Sequence, residues 1–189
     1  LDIYHEYREM DLFSTNGSIC DTAGNLLFYS NGIYIANAIG QPMANGFGIN
    51  PGQYADDYPR GYQLPQGVLT LRHPDSIYIY HLIHANIEYP QGDLGAYTSK
   101  LFYSKIDMRL ANGLGSVIEK NQVIIEDVME PGKLTACRHA NGRDWWLFMR
   151  RYGSNEYHNI LLSPSGFENN GVQVVGDSIL SPSLGQNVF

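Results

Sequence analysis

From Ser76 to His84 the chain places apolar or aromatic side chains on both sides of an extended backbone. Ile77, Ile79, His81 and Ile83 fall on one side, and Tyr78, Tyr80, Leu82 and His84 on the other. A strand with one wet face alternates apolar with charged residues, so this pattern predicts a strand covered on both faces. Trp145-Trp146-Leu147-Phe148-Met149 reads the same way. A helix-flanked parallel sheet also buries both faces of its strands, but no amphipathic stretch of helical length is present to flank one. No helix is predicted. Ile3-Tyr4 and Leu12-Phe13, on either side of His5–Met10, read as an outer strand.

A strand, a tight polar turn and an aromatic-rich strand recur three times, over Ser18–Tyr29, Leu69–Tyr80 and Leu134–Phe148. Asp21, His73 and His139 occupy corresponding positions, where a side-chain acceptor can hold a turn together. Each copy continues into two further strands: Gly32–Asn37 and the segment opening at Gln41; Lys100–Asp107 and Val117–Ile125; Tyr157–Leu162 and Gly171–Val175. Asn-Gly, Ser-Gly and Pro punctuate the reversals, supplying positive or preset φ. Units of four strands repeated at this spacing, each needing cover on both faces, predict an all-β fold, a β-propeller. The expected blades are approximately 14–50, 64–128 and 132–178, with the start of another at 184–189. Three blades do not close a ring. The expectation is therefore a partial propeller, a fragment whose remaining blades belong to a longer parent chain.

In such a fold the short turns gather on one face and the long connections on the other. The long ones are Asn50–Gln66 and Ala85–Thr98, both rich in Tyr, acids and amides. Long connections without regular structure often carry function, though they also pack down as lids. The ligand-binding candidates are Tyr54, Asp56, Asp57, Tyr58, Arg60, Tyr62, Tyr89, Asp93 and Tyr97. Tyrosine offers a flat apolar ring with a hydroxyl, suited to sugars or protein side chains. Asp56-Asp57 could offer oxygen ligands to Ca²⁺, but without the spacing of a calcium loop, and no cofactor is predicted. His81 and His84 point to opposite faces of one strand and cannot share a metal; each is expected to be satisfied by hydrogen bonds. Cys20 and Cys137 read as buried free thiols at matching repeat positions, since neither a zinc spacing nor a disulfide framework is present.

A net charge of −7, with the cations scattered, argues against a nucleic-acid partner. The apolar runs have strand length, so no helical membrane span is expected. Charged residues make up 16% and aromatics 12% of the chain, which argues against disorder. No GxSxG, HExxH or phosphate-loop motif occurs. No catalytic residue is assigned. Propeller glycosidases set paired carboxylates around the channel, and here only Asp21 sits near the end of a channel strand.

The runs Ser18–Gly32, Asn112–Gly115, Lys133–Ala136 and His139–Trp146, in this order, resemble the propeller region of secreted Bacteroidetes proteins that bear a gliding-motility or type IX secretion sorting tail. The resemblance spans about residues 11–189. It implies export, a secreted or outer-surface location and a non-catalytic module, with no catalytic residues to carry over. This chain has neither the later blades nor the tail of that pattern. The expected function is a binding or adhesion module recognising a glycan or protein at the cell surface through its long-loop face. Two alternatives stand beside it. One is a propeller hydrolase of polysaccharide or peptide, tested by neutralising Asp21, Asp56 and Asp57. The other is a structural subunit of a surface assembly or filament.

Overall fold

The computed structural model describes residues 7–177. Its strands are β1 Gly17–Cys20, β2 Leu26–Ser30, β3 Tyr34–Asn37, β4 Pro42–Phe47, β5 Val68–Arg72, β6 Ile79–Ala85, β7 Thr98–Asp107, β8 Ser116–Arg138, β9 Trp145–Arg151, β10 Glu156–Ser163 and β11 Gly166–Val174. All belong to one large sheet that does not close on itself, so the protein is all-β. Within it, three antiparallel meanders of four strands follow one another along the chain. The first is β1–β4, and the second is β5–β7 with the leading half of β8. The trailing half of β8 then opens the third, which continues through β9–β11. A single parallel bridge, Ala44 beside Ser116, links β4 to β8.

Three sequence expectations need correction. A short helix, α1 Gln53–Asp57, forms inside the first long connection, where none was predicted. Val117–Ile125 and the strand opening at Leu134 are parts of one strand, β8, rather than two. Pro131-Gly132 does not interrupt it, because the ladder slips between Met129 and Leu134 and the irregular pairing absorbs a residue without an N–H. Leu12-Phe13 lies in irregular chain, not in an outer strand. Ile3-Tyr4 and the start of a blade at 184–189 fall outside the described residues.

The recurring turn is built alike in all three meanders. Asp21 Oδ1 accepts the N–H of Ala23 at 2.8 Å, His73 Nδ1 that of Asp75 at 3.1 Å, and His139 Nδ1 that of Asn141 at 3.0 Å. The carbonyls of Asp21, His73 and His139 then accept the N–H three residues on. Carboxylate and imidazole thus do one job: they replace the backbone acceptor that the reversing chain lacks.

Two apolar cores lie on opposite faces of the middle meander. Tyr80, Leu82 and Ile106 pack with Phe28, Ile35 and Met43 of the first meander. Leu71, Ile83 and Leu101 pack with Leu147, Met149 and Ile160 of the third. Consecutive residues Tyr80 to Ala85 are all buried, so this strand loses water on both sides. At roughly 1.5–3 kcal/mol for each large apolar side chain fully buried, these two interfaces hold the meanders together.

The two histidines of β6 differ. His84 is fully enclosed and satisfied, with Nδ1 2.7 Å from Asn50 Oδ1 and Nε2 3.0 Å from Ser104 Oγ. His81 is also buried, among the rings of His73, Tyr103 and Phe167, but neither of its nitrogens has a hydrogen-bond partner among the described residues. The expectation of a satisfied histidine fails there. The cysteines also depart from expectation: both are exposed. Counted back from the turn residue, Cys20 corresponds to Arg72 and Arg138, while Cys137 corresponds to Ile19 and Leu71, so the two thiols do not share a repeat position.

Candidate functional site

α1 forms part-way along the connection between β4 and β5. A five-residue helix has little stability of its own, so side-chain packing must hold it. Tyr54 supplies that packing. Its ring stacks on Tyr58 at 4.6 Å, meets Tyr62 edge-on at 5.3 Å and lies tilted against Tyr89 at 5.4 Å. Tyr89 comes from the other long connection, so the two loops meet at this cluster. Its hydroxyl donates to Asp57 Oδ2 at 2.6 Å, and Gln53 Nε2 donates to Asp57 Oδ1 at 2.9 Å.

Asn86 anchors the second loop. Its Oδ1 accepts the N–H groups of Ser99 and Lys100, and its Nδ2 donates to Glu88 Oε1 and Ser99 Oγ. Glu88 and Tyr97 exchange backbone hydrogen bonds across the loop. Tyr152 of the third meander accepts the Gly95 N–H at 2.9 Å. Asn86, Gln53 and Tyr152 were not singled out from the sequence. Their partners lie on other loops, and only a repeat of amides at loop bases could have hinted at them.

Of the nine predicted residues, the fold brings together Tyr54, Asp57, Tyr58, Tyr62 and Tyr89. Tyr62 is 1% exposed, and its hydroxyl accepts the Ile87 N–H, so it is a core residue rather than a contact surface. Arg60 is committed to Asp11, its Nε 2.7 Å from Oδ2. Tyr97 donates to Gln91 Oε1, and Asp93 lies exposed in the turn closed by Leu94 N–H and Gln91 O. Asp56 is exposed on α1. These four make no hydrogen bond or ring contact with the tyrosines. No group of three or more potential metal ligands occurs among the described residues.

Electrostatics follow the geometry. The Asp57 carboxylate accepts a hydrogen bond from the Tyr89 hydroxyl, which pushes that hydroxyl up to about 12. The same bond, with that from Gln53, holds Asp57 below the usual carboxylate range. Burial raises Tyr54, with the neighbouring Tyr58 adding to it. At neutral pH the site therefore presents neutral phenols beside a fixed carboxylate. Tyr89 is 42% exposed and Tyr58 half-buried. The surface offers flat apolar rings, phenolic hydroxyls and one anionic acceptor, a set able to stack against and hydrogen-bond a ligand.

No protein-family model matches the chain, and no curated protein or solved structure is significantly similar to it. No helix among the described residues is long and apolar enough to cross a membrane.

Proposed function

We propose that the three meanders are blades of a β-propeller and that the chain is a binding module engaging a glycan through the tyrosine surface around α1. The first strands of the first two meanders meet as channel-lining strands would, and the second strand of the third meander opens against the end of β5. Thr70 Oγ1 donates to Ser18 O at 3.0 Å, and Trp145 Nε1 donates to Arg72 O at 3.1 Å. The shared turn and the double-sided burial of the middle meander support the same reading. In this reading, further blades of a parent chain pack on the outer face of the third meander, where Trp146 and Phe148 are only half-buried. Display outside the cell, as in the type IX secretion proteins that the sequence resembles, is part of this proposal.

The convergence of Tyr54, Tyr58 and Tyr89 from two separate loops carries the functional reading. The hydrolase alternative draws no comparable support. Asp21 sits at the turn after β1, far along the strands from α1, and Asp57 is committed to Tyr89 and Gln53.

The test is a double Tyr58→Ala, Tyr89→Ala variant probed on a glycan array beside the parent protein. The expected result is loss of array binding in a protein that still unfolds cooperatively, with a lowered melting temperature because Tyr58 and Tyr89 also pack on Tyr54. Retained binding in the folded variant overturns the site. Tyr62 is left in place, because its removal would empty a core position.

A further inference from the structure

A second concave site lies at the other ends of the first strands. Tyr62 leads into β5, whereas Arg72 closes it, so the tyrosine surface and this site sit at opposite ends of the same strand. The cleft encloses about 350 Å³ where the ends of β1, β5 and β8 meet. Cys20, Arg72 and Arg138, all lining it, occupy one repeat position, the residue before the turn-holding Asp21, His73 or His139. The repeat therefore delivers three equivalent side chains to one place, and two of them are arginines.

These arginines are unlike most others in the molecule. Arg60, Arg109, Arg143, Arg150 and Arg151 each sit on a carboxylate. Arg72 and Arg138 have no carboxylate partner among the described residues. Arg138 is held in place: its Nη1 donates to Gly142 O at 2.8 Å, and its guanidinium lies 4.4 Å from the Trp145 ring centre. The Arg72 side chain makes no hydrogen bond among the described residues. Asp21 is the one acid in the lining, and its turn occupies it: Oδ1 accepts from Ala23 and Asn25, and Oδ2 from the Asn25 amide. Two guanidinium groups set against the single Asp21 carboxylate leave this cleft locally positive in a chain of net charge −7, and with that carboxylate's oxygens taken up by its turn the pair forms a site for an anion.

The rest of the wall narrows the ligand. Thr22, Thr70 and Tyr80 add hydroxyls beside the indole of Trp145. Thr70 and Tyr80 donate to the carbonyls of Ser18 and Ile77, which leaves their oxygens able to accept. Acceptors of this kind match the hydroxyl groups of a sugar, and the volume suits one ring or a short oligosaccharide end. We infer that this cleft binds an anionic sugar, a pyranose bearing a carboxylate or phosphate, with Arg72 and Arg138 clamping the anionic group and Thr22, Thr70 and Tyr80 meeting the ring hydroxyls.

The test uses the whole chain carrying Trp146→Phe, so that Trp145 alone reports, through its fluorescence and its indole N–H resonance. Glucuronate, glucose 6-phosphate, glucose and inorganic phosphate are titrated separately. Glucuronate and glucose 6-phosphate distinguish the carboxylate from the phosphate source of the charge, and a saturable response to either one is the expected result. Glucose should give no response over the same range, and inorganic phosphate should bind at least tenfold more weakly than the anionic sugar. Arg72→Gln should weaken the sugar at least tenfold with an unchanged melting temperature, because the Arg72 side chain holds nothing else in place. No saturable response to either anionic sugar overturns the inference, as does equal binding of glucose. Phosphate binding as tightly as the sugar overturns its hydroxyl half, and an Arg72→Gln protein of unchanged affinity overturns the clamp. The Tyr58→Ala, Tyr89→Ala protein should retain this response, so failure of the tyrosine site and failure of the cleft read separately.

Discussion

The middle and third meanders are written in the same apolar script yet are buried differently. In β6, Tyr80 through Ala85 are all buried. In β9, Leu147 and Met149 are buried, while Trp146 and Phe148, which alternate with them, are half-buried. Neighbours, not sequence, make the difference. The middle meander has a partner on each side, whereas the third turns one side to the second meander and leaves Val172 and Val174 of β11 exposed. Two-sided hydrophobicity in a strand therefore does not by itself fix how many layers cover it: β6 meets two and β9 meets one.

Truncation gives the largest contrast. Leu82→Ala removes a side chain enclosed in the interface between the first and middle meanders and should cost about 3 kcal/mol. Val174→Ala, at 64% exposure, should cost less than about 0.5 kcal/mol. Urea unfolding of both variants checks the pair. Equal losses would mean that the outer face of the third meander is covered in solution by another copy or segment.

The histidines of β6 sharpen the contrast inside one strand. His84→Leu strands Asn50 and Ser104 and should cost about 2 kcal/mol. His81→Leu removes two unpartnered ring nitrogens from an aromatic setting and should be neutral or stabilising. Burial pushes both imidazoles down to about 3, with His73 and Lys105 adding to the effect at His81. Each is thus neutral in the fold and protonates more readily when unfolded, near 6.5. The fold carries no protonation penalty from them above about pH 6.5, and as pH falls from there toward 3 each histidine lowers stability by about 1.4 kcal/mol per pH unit. Equilibrium unfolding at pH 7 and pH 5 should show a shallower loss in His81→Leu than in the parent. An equal loss in the two proteins would mean that His81 is solvated.

The residues that could be read in advance and those that could not differ in kind. The turns at Asp21, His73 and His139 were legible because the acceptor and its donor lie two residues apart. The double cover of β6 was legible because it is written in that strand's own alternation. Tyr62 was not, since a tyrosine in a long loop reads the same whether it supports the loop or faces a ligand. The continuity of β8 through Pro131-Gly132 depends on a slip in pairing with β9 that no local signal announces. The cleft was legible in principle: aligning the repeats on the turn residue sets Cys20, Arg72 and Arg138 in register.

The smallest expected effect separates the turns themselves. His73 holds its turn by accepting an N–H at Nδ1, which requires a neutral ring, and burial lowers its pKa with Lys105 adding to this and Asp75 opposing it. Asp21 holds the equivalent turn with a carboxylate that hydrogen bonds from Asn25 and the turn backbone keep below its usual range. The His73 turn should weaken as pH falls through the imidazole range, while a carboxylate there stays a competent acceptor. His73→Asp, made in a His81→Leu background so that the stacked ring does not contribute, should lose less melting temperature between pH 7 and pH 5 than the background protein does. The difference should be smaller than any effect of core truncation, because the turn is on the surface and water can replace the acceptor. Parallel melting curves would mean that the two turns, alike in geometry, are also alike in their response to protons, and that the imidazole is not acting as the acceptor.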